Sequence, residues 1–152
     1  MNKICFVCLG NICRSPMAEF VMKNLAQKYG LNDKLNITSA GTAGYHDGED
    51  MDKRTKKKLS EKGINATHFI SKKLTQKLCD ESKLLLVMDK MNYKAVQSNF
   101  KGLENKLFYL LDFCENTEKE IPDPYYTNTF EECHELILKA CEGLCKYLKQ
   151  KL

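Results

Sequence analysis

The alternation of apolar and polar residues along the chain predicts four β-strands and four helices. Short apolar runs rich in β-branched and aromatic residues predict strands at residues 3–7, 36–40, 83–89 and 107–111. Apolar residues that recur at helical spacing predict helices from residue 16 to about 29, between residue 48 and about 63, from 91 to 98 and from 129 to 149. No internal repeat or low-complexity segment interrupts this order.

Strands that alternate with helices predict an α/β fold, a single domain with a parallel sheet and helices on both faces. The stretch 84–88 is hydrophobic throughout, which is typical of a central strand buried on both faces. In such sheets, ligands bind beyond the carboxyl ends of the strands. The loops after Cys8, Ser39 and Met88 all follow strand ends, so we expect them to meet on one side of the sheet.

The composition agrees with one globular domain over residues 1–152. Of the 152 residues, 43% are hydrophobic and 29% are charged, which is ordinary for a soluble protein of this size. No apolar run has the length of a membrane span, and the first residues lack the order of segments found in a signal peptide. We therefore expect a cytoplasmic protein with no membrane insertion.

The eight cysteines are expected to be free thiols. Disulfide frameworks belong to secreted chains, and Cys133, Cys141 and Cys145 fall on the apolar face of the last predicted helix, where cysteine packs as a small hydrophobe. Cys5 and Cys8 have half of a zinc-site spacing, but no second pair of ligands follows at the distance of a zinc finger or ribbon. The pattern therefore predicts no bound metal.

The net charge of +4 and the basic run at residues 53–58 raise the question of nucleic-acid binding. Acidic residues at 49, 50 and 52 come directly before the run, and an acidic helix start followed by basic residues is what the helix dipole favours. The run is therefore interpreted as a solvated helix face, with no nucleic acid as partner.

The most informative stretch is the turn between the first strand and the first helix, Cys8-Leu9-Gly10-Asn11-Ile12-Cys13-Arg14-Ser15. Ser15 is a favourable N-cap and Pro16 suits the first helical position. Gly10 and Asn11 both tolerate a positive φ. Such a turn directs successive backbone N–H groups at one point beside the positive end of a helix, an arrangement that binds oxyanions.

Arg14 and Cys8 give this turn its predicted chemistry. A guanidinium is a planar fork of donors suited to a bidentate grip on phosphate. The same positive field favours the thiolate form of a cysteine, which is the nucleophile. An anion-binding loop with a nucleophilic cysteine at its base predicts a phosphatase that works through a phosphocysteine intermediate.

The stretch from Phe6 to Glu19 resembles the low-molecular-weight protein tyrosine phosphatases, and Cys8-x5-Arg14-Ser15 within it is the signature of cysteine-based phosphatases in general. The resemblance extends over essentially the whole chain. It implies a four-stranded sheet in the order 2-1-3-4 and hydrolysis of phosphotyrosine and small aryl phosphates without a cofactor. Phosphotyrosine-containing proteins would be the substrates, and a tyrosine kinase would be the functional partner.

Asp123 is the candidate general acid, because cleavage of an aryl phosphate ester requires a proton for the leaving oxygen. Pro122 and Pro124 flank it and are expected to hold the backbone extended. Tyr125 and Tyr126 follow and offer aromatic surface for a phenyl ring. The string Asp-Pro-Tyr-Tyr resembles the acid loop of the family, which implies that Asp123 protonates the leaving group.

Further site residues are implied by the resemblance alone. Asn11, Ser15, Ser39 and His68 match a polar network that holds the loop open and steadies the thiolate. Others match the substrate cleft, namely Tyr45 opposite the acid-loop tyrosine and, near the pocket rim, Asp89 and Asn92. Asp89 is also a candidate helix cap. The resemblance further implies a reversible disulfide between Cys8 and Cys13, and a packed spectator thiol is the alternative for Cys13.

The chain departs from the family in two places. Relatives often carry prolines where this chain has the acidic stretch 48–52, and many carry glycine at the position of Thr127.

Two other functions are the alternatives. A thioredoxin-coupled arsenate reductase would need two further cysteines on a mobile segment, and only Cys79 lies in the corresponding region. A phosphate-binding module without turnover would need neither Cys8 as nucleophile nor Asp123 as acid.

Overall fold

The computed structural model describes residues 2–115 and 118–152. Its strands are β1 (Asn2–Cys8), β2 (Leu35–Gly41), β3 (Ser82–Val87) and β4 (Leu107–Tyr109). Its α-helices are α1 (Arg14–Lys28), α2 (Lys53–Glu61), α3 (Gln76–Glu81), α4 (Lys90–Asn99), α5 (Pro124–Thr127) and α6 (Phe130–Lys151), and a 3₁₀ turn spans Leu110–Phe113. The predicted strands and the four predicted helices are all present, with ends shifted by a few residues.

The four strands form one parallel sheet in the order β2-β1-β3-β4, as the resemblance implied. Side chains of β1 alternate between two apolar clusters. Ile4 and Phe6 pack on the side of α1 and α6, whereas Cys5 and Val7 pack on the side of α3 and α4. A strand covered on both faces must be apolar at successive positions, which explains why β1 and β3 are continuous hydrophobic runs.

The first helix begins two residues earlier than predicted. Arg14 is its first residue and Cys13 occupies the N-cap position without a side-chain cap. The prediction that Ser15 caps this helix is therefore wrong. The Ser15 hydroxyl lies 3.0 Å from Cys8 Sγ instead, so the side chain that was expected to cap the helix contacts the Cys8 thiol.

Two helices were not predicted from the hydrophobic pattern. The six-residue α3 follows its N-cap Thr75, whose hydroxyl accepts the N–H of Leu78. The four-residue α5 begins after Asp123, with Pro124 at its first position, so the expectation of an extended backbone after Asp123 is wrong. Proline lacks only an N–H that the first turn leaves unpaired, and it therefore starts a helix as readily as it prevents one.

The last helix, α6, buries nine of its residues. Cys133, Cys141 and Cys145 are buried there as predicted, and all eight cysteines are free thiols. Burial raises the pKa of Cys5 to about 12 and that of Cys145 to about 11, so these thiols stay protonated at neutral pH. No helix in the described ranges combines the length and the apolar character that crossing a bilayer requires.

Candidate active site

The predicted phosphate-binding loop leaves the carboxyl end of β1 and enters α1. Its positive φ falls on Asn11, at 56°. Gly10 keeps a negative φ and lies against the side chain of His46. A Cβ at Gly10 would come within 3.3 Å of His46 Cδ2. The loop therefore uses Asn11 for its left-handed residue and Gly10 for close approach.

The carbonyl groups of the loop point outward into neighbouring segments. Those of Cys8, Leu9 and Ile12 accept the N–H groups of Thr42, Ala43 and Asp52, each at 2.9 Å. Among the described residues, the N–H groups of residues 10–14 donate to no backbone or side-chain acceptor. The loop thus presents its donors inward, which is the arrangement that binds an oxyanion.

Cys8 ends β1 at the floor of this loop. Its Sγ accepts the Ser15 N–H at 3.4 Å and lies 3.0 Å from Ser15 Oγ. The side chain is 3% exposed, but it lines the same pocket as Asp123. Cys8 is therefore shielded from bulk solvent while it remains open to the cleft, as a nucleophile requires.

Arg14 is the largest of the fully buried side chains, at 2% exposure. Nη1 donates to Asp89 Oδ2 and to the carbonyl of Ile121, both at 2.7 Å, and Nη2 donates to Asp123 Oδ2 at 3.4 Å. Burial lowers the pKa of the guanidinium, but the nearby Cys8, Asp89 and Asp123 outweigh burial and raise it above its usual value. Its Nε is buried and has no acceptor among the described residues, so this donor is free for a phosphate oxygen.

A polar network lies beneath Cys8. Asn11 Nδ2 donates to Ser15 Oγ at 2.8 Å and to Ser39 Oγ at 3.0 Å. Ser39 in turn donates to Glu19 at 2.6 Å, and Glu19 pairs with Lys23. The network therefore runs from Cys8 to the surface, and it joins three of the four residues that the resemblance assigned to it.

Glu19 was missed as a member of the network. The available signal was a carboxylate on the apolar stripe of the first predicted helix, one helical turn after Ser15 and one before Lys23. A charged residue at such a position is buried only if it is paired. Glu19 is 7% exposed, and the serine and lysine satisfy its two oxygens.

His68, the fourth assigned member, lies outside the network. It is exposed, adopts a φ of 63°, and makes no hydrogen bond with Asn11, Ser15 or Ser39. Phe69, the next residue, turns inward and packs edge-on against Phe20 with ring centroids 6.1 Å apart. A shift of one residue in an irregular loop reverses which side chain faces the core, and no sequence pattern indicates it.

Ser71 and Lys72 tie the loop in place from that side. Ser71 Oγ donates to the carbonyl of Asn11 at 2.7 Å, and the Lys72 N–H donates to Asn11 Oδ1 at 2.9 Å. The Ser71 backbone also pairs with Gly48 and Glu49. This segment therefore joins the phosphate-binding loop to the acidic stretch 48–52.

The predicted acid segment reaches the site from the far end of the chain. Asp123 is the N-cap of α5, where Oδ1 accepts the Tyr125 N–H at 3.1 Å. The Ile121 N–H donates to the carbonyl of Met88 at 2.8 Å, which attaches this segment to the end of β3. The two flanking elements therefore aim the Asp123 carboxyl at the pocket that contains Cys8.

The pocket has a volume of about 220 Å³. Its lining joins the loop to aromatic and titratable walls, and consists of Cys8, Leu9, Gly10, Ile12, Cys13, Tyr45, His46, Asp123, Tyr125 and Tyr126. Tyr45 and Tyr126 are each 74% exposed and form the outer rim. A cleft with a polar floor and aromatic sides suits a flat aryl group that carries an anion.

Asp89 and Asn92 have roles other than the predicted rim. Asp89 caps α4 by accepting the Asn92 N–H at 2.8 Å, and with its other oxygen it holds Arg14. Asn92 is 2% exposed, accepts the Met88 N–H at 3.1 Å and is absent from the pocket lining. The assignment of Asn92 to the rim is therefore wrong, because its side chain turns back to close the end of β3.

Cys13 lines the pocket with Cys8, although its thiol is only 3% exposed. Burial raises the pKa of Cys13 to about 12, while a contact with the Thr55 hydroxyl acts in the opposite direction. The thiol is therefore protonated at neutral pH.

Comparisons with known proteins agree on one family over nearly the whole chain. The profile of the family described as low molecular weight phosphotyrosine protein phosphatase matches residues 3–152. The low molecular weight protein-tyrosine-phosphatase YfkJ of Bacillus subtilis is 36% identical over 99% of this chain and 98% of its own length, and its crystal structure superposes with a TM-score of 0.94 over 99% of this chain and 96% of that one. PtpA of Staphylococcus aureus is 36% identical over 97% of this chain and 94% of its own length. A protein tyrosine phosphatase from Entamoeba histolytica superposes with a TM-score of 0.92 at 36% identity, over the full length of both chains.

The fold and the site define the class as α/β hydrolytic phosphatases with a Cys-x5-Arg loop after the first strand. The matches extend over nearly all of both sequences. The chain belongs to the low molecular weight phosphotyrosine protein phosphatase family.

Proposed function

We propose that this protein hydrolyses phosphotyrosine in proteins, and small aryl phosphates, with Cys8 as nucleophile, Arg14 as phosphate clamp and Asp123 as general acid and base. The observation that carries the proposal is the convergence of these three residues on one pocket. Arg14 lies within 3.4 Å of Asp123, and Cys8 and Asp123 line the same cleft. Tyr45, Tyr125 and Tyr126 supply the aromatic surface that favours an aryl ester.

In the first step, the Cys8 thiolate attacks phosphorus in line, so that the Sγ–P bond forms as the P–O bond to the aryl group breaks. The inward N–H groups of the loop and the Arg14 guanidinium stabilise the charge on the three equatorial oxygens. Asp123 gives its proton to the departing phenol oxygen. The products are phosphocysteine, a neutral phenol and the Asp123 carboxylate.

In the second step, the Asp123 carboxylate takes a proton from a water molecule as that water attacks phosphorus. The Sγ–P bond breaks, inorganic phosphate leaves, and the Cys8 thiolate and the protonated Asp123 are restored. Because the first step needs Cys8 ionised and Asp123 protonated at once, turnover is expected to be fastest at mildly acidic pH.

The relay chemistry of an arsenate reductase has little support in this chain. Cys79, the candidate relay thiol, is 1% exposed and packs in the apolar cluster on the α3 and α4 side of the sheet. Burial raises its pKa to about 11. A thiol that is buried and protonated on that face is a poor partner for a disulfide relay from Cys8.

The test uses wild type, Cys8→Ser and Asp123→Ala with p-nitrophenyl phosphate and a phosphotyrosine peptide, and a phosphoserine peptide as the control substrate. Cys8→Ser should abolish turnover on both aryl substrates. Asp123→Ala should lose about 10²–10⁴-fold in kcat on phosphotyrosine and less on p-nitrophenyl phosphate, whose anion leaves without a proton. Equal losses on the two aryl substrates would remove the acid assignment, and a Cys8→Ser variant as active as wild type would remove the whole proposal.

A further inference from the structure

Arg54 contacts the segment that precedes α2, the segment that carries Asp123 and the start of α6. It is the second residue of α2, far in sequence from the acid segment, and its side chain is 41% exposed. Neither the Cys-x5-Arg loop nor the Asp-Pro-Tyr-Tyr string includes it. Its contacts are unlike those of its neighbours on the basic face of α2, because two of them are with aromatic rings.

On one side, Arg54 is fixed to the phosphate-binding loop through Asp52. Nε donates to Asp52 Oδ1 at 3.1 Å and Nη2 donates to Oδ2 at 3.0 Å, which makes a two-bond fork. The Asp52 N–H in turn donates to the carbonyl of Ile12 at 2.9 Å. Hydrogen bonding by Arg54 also lowers the pKa of Asp52, so the carboxylate is ionised at neutral pH.

On the other side, Arg54 contacts both ends of the acid segment. Its guanidinium carbon lies 5.4 Å from the centre of the Tyr125 ring and 4.8 Å from that of the Phe130 ring. Nη1 donates to Asn128 Oδ1 at 3.4 Å, and Asn128 is the left-handed residue that ends α5. Both ring distances lie within the range in which a cation is attracted to the face of an aromatic ring.

The acid segment needs support of this kind. A helix of four residues does not form by itself, because nucleation costs more than so short a helix returns. Tyr125 is 45% exposed, and the bonds that Asp123 makes within α5, from its cap and its carbonyl, are internal to the segment. Contacts at Tyr125, Asn128 and Phe130 therefore add to the Arg14–Asp123 bond in setting where the short helix lies, and with it the direction of the Asp123 carboxyl.

We propose that Arg54 is a positioning residue that fixes the acid segment, residues 123–128, against the phosphate-binding loop. It acts through Asp52 and Ile12 on one side and through Tyr125 and Asn128 on the other, and it touches neither the phosphate nor the leaving group. The inference rests on the proposed function of Asp123. Its consequence is that loss of Arg54 impairs proton transfer to the leaving group and leaves phosphate binding intact.

The experiment compares kcat/KM for phenyl phosphate, whose leaving oxygen needs a proton, with kcat/KM for p-nitrophenyl phosphate. The variants are Arg54→Met, which keeps an unbranched apolar side chain, and Arg54→Lys, which keeps the charge and loses the fork. Lys57→Met is the matched control, since Lys57 is exposed on the same helix and contacts neither ring among the described residues. Inhibition by inorganic phosphate measures the loop separately.

For Arg54→Met, we expect kcat/KM on phenyl phosphate to fall about 10- to 100-fold, the scale of a misplaced catalytic group. The fall on p-nitrophenyl phosphate should be at least about fivefold smaller, the inhibition constant of phosphate should stay within about twofold of wild type, and Arg54→Lys should lie between. Equal falls on the two substrates, a parallel change in phosphate inhibition, or wild-type kinetics would each overturn the proposal.

Asp52→Asn keeps the question answerable if Arg54→Met does not fold. Asparagine caps a helix as well as aspartate does, but it cannot form the charged fork with Arg54. The same leaving-group dependence is expected in this variant, and its absence would count against the proposal. A wild-type protein inactive on both substrates would refute the proposed phosphatase function itself, which is a different result from a failure of Arg54 alone.

Discussion

Arg14 Nη1 and Asp89 Oδ2 lie 2.7 Å apart, which connects the proposed phosphate clamp to the first turn of α4. The carboxylate has two tasks, because its other oxygen accepts the Asn92 N–H at 2.8 Å and so caps the helix. The guanidinium is almost wholly buried, whereas the Asp89 side chain is 20% exposed. The orientation of the clamp is therefore determined by a helix cap that lies more than seventy residues further along the chain.

Substitution of Asp89 should separate these two tasks. Asp89→Asn keeps the cap and removes the charge opposite Arg14, so we expect kcat/KM on p-nitrophenyl phosphate to fall about tenfold or more with little change in thermal stability. Asp89→Ala should show the same kinetic loss and also lose about 1 kcal/mol of stability with the cap. Steady-state kinetics and urea unfolding measure the two effects. An Asp89→Asn variant with wild-type kcat/KM would show that Arg14 needs no partner there.

Gly143 is the glycine at which an added methyl group would make the shortest contact. A Cβ at Gly143 in α6 would lie 1.7 Å from the carbonyl oxygen of Phe113, and this neighbour is backbone, which cannot rotate away. We expect Gly143→Ala to lower the free energy of unfolding by about 3 kcal/mol or more, the upper range of overpacking. Urea unfolding checks this, with Lys139→Ala on the exposed side of α6 as the control. A variant as stable as wild type would mean that α6 can shift without cost.

The ion pairs between α2 and α6 predict a pH dependence. Hydrogen bonds from Lys62 and then Lys58 lower the pKa of Glu131 from 4.5 to about 2. Because the folded-state pKa is the lower one, the stabilisation is complete above about pH 4.5 and is lost as the pH falls towards 2. We expect Glu131→Gln to be less stable than wild type at pH 7, and the difference to shrink as the pH falls from 4.5 towards 2. The three side chains are partly exposed, at 17% to 43%, so 1 M salt should also reduce the difference.

The pH dependence of disulfide formation tests whether the Cys13 thiol reacts with oxidised Cys8. Burial raises the pKa of Cys13 to about 12, and only the thiolate attacks an oxidised sulfur. Below that pKa, the thiolate fraction rises about tenfold for each pH unit. We therefore expect disulfide formation after peroxide treatment to accelerate about tenfold between pH 7 and pH 8, as measured by mass spectrometry of trapped thiols.

The Cys13→Ser variant is the control for this reaction. Without a resolving thiol, the sulfenic acid on Cys8 should proceed faster to the irreversible sulfinic acid. Equal rates of over-oxidation in the variant and in wild type would identify Cys13 as a packed spectator thiol.

The sheet and the loop could be predicted because each depends on local sequence. Period and run length identify β1 and β3, and the loop consists of eight consecutive residues whose chemistry is explicit. The order β2-β1-β3-β4 came from the resemblance, since nothing in the pattern of a strand states which strand lies beside it. The positions of α3 and α5 were missed because helices of six and four residues are too short to show a period.

The parts of the site that could not be predicted depend on which way a loop side chain turns. His68 and Phe69 are adjacent, and only the backbone conformation decides that Phe69 packs inward. Asn92 was assigned to the rim through the family resemblance alone, and its side chain instead turns back to accept the Met88 N–H. Arg54 was interpreted as one more charge on a solvated helix face, because the two rings it contacts are more than seventy residues away.

Arg14 Nη1 donates to the carbonyl of Ile121, a residue 107 positions away in the chain. This hydrogen bond links the movements of two parts of the site. The peptide that accepts it lies two residues before Asp123, so a rotation of the guanidinium would displace the segment that carries the proposed general acid. Together with the Nη2 bond to Asp123, this contact couples the position of the proposed phosphate clamp to that of the proposed acid. Loss of that hydrogen bond should let the guanidinium and the Asp123 carboxyl move independently, while each group keeps its own chemistry.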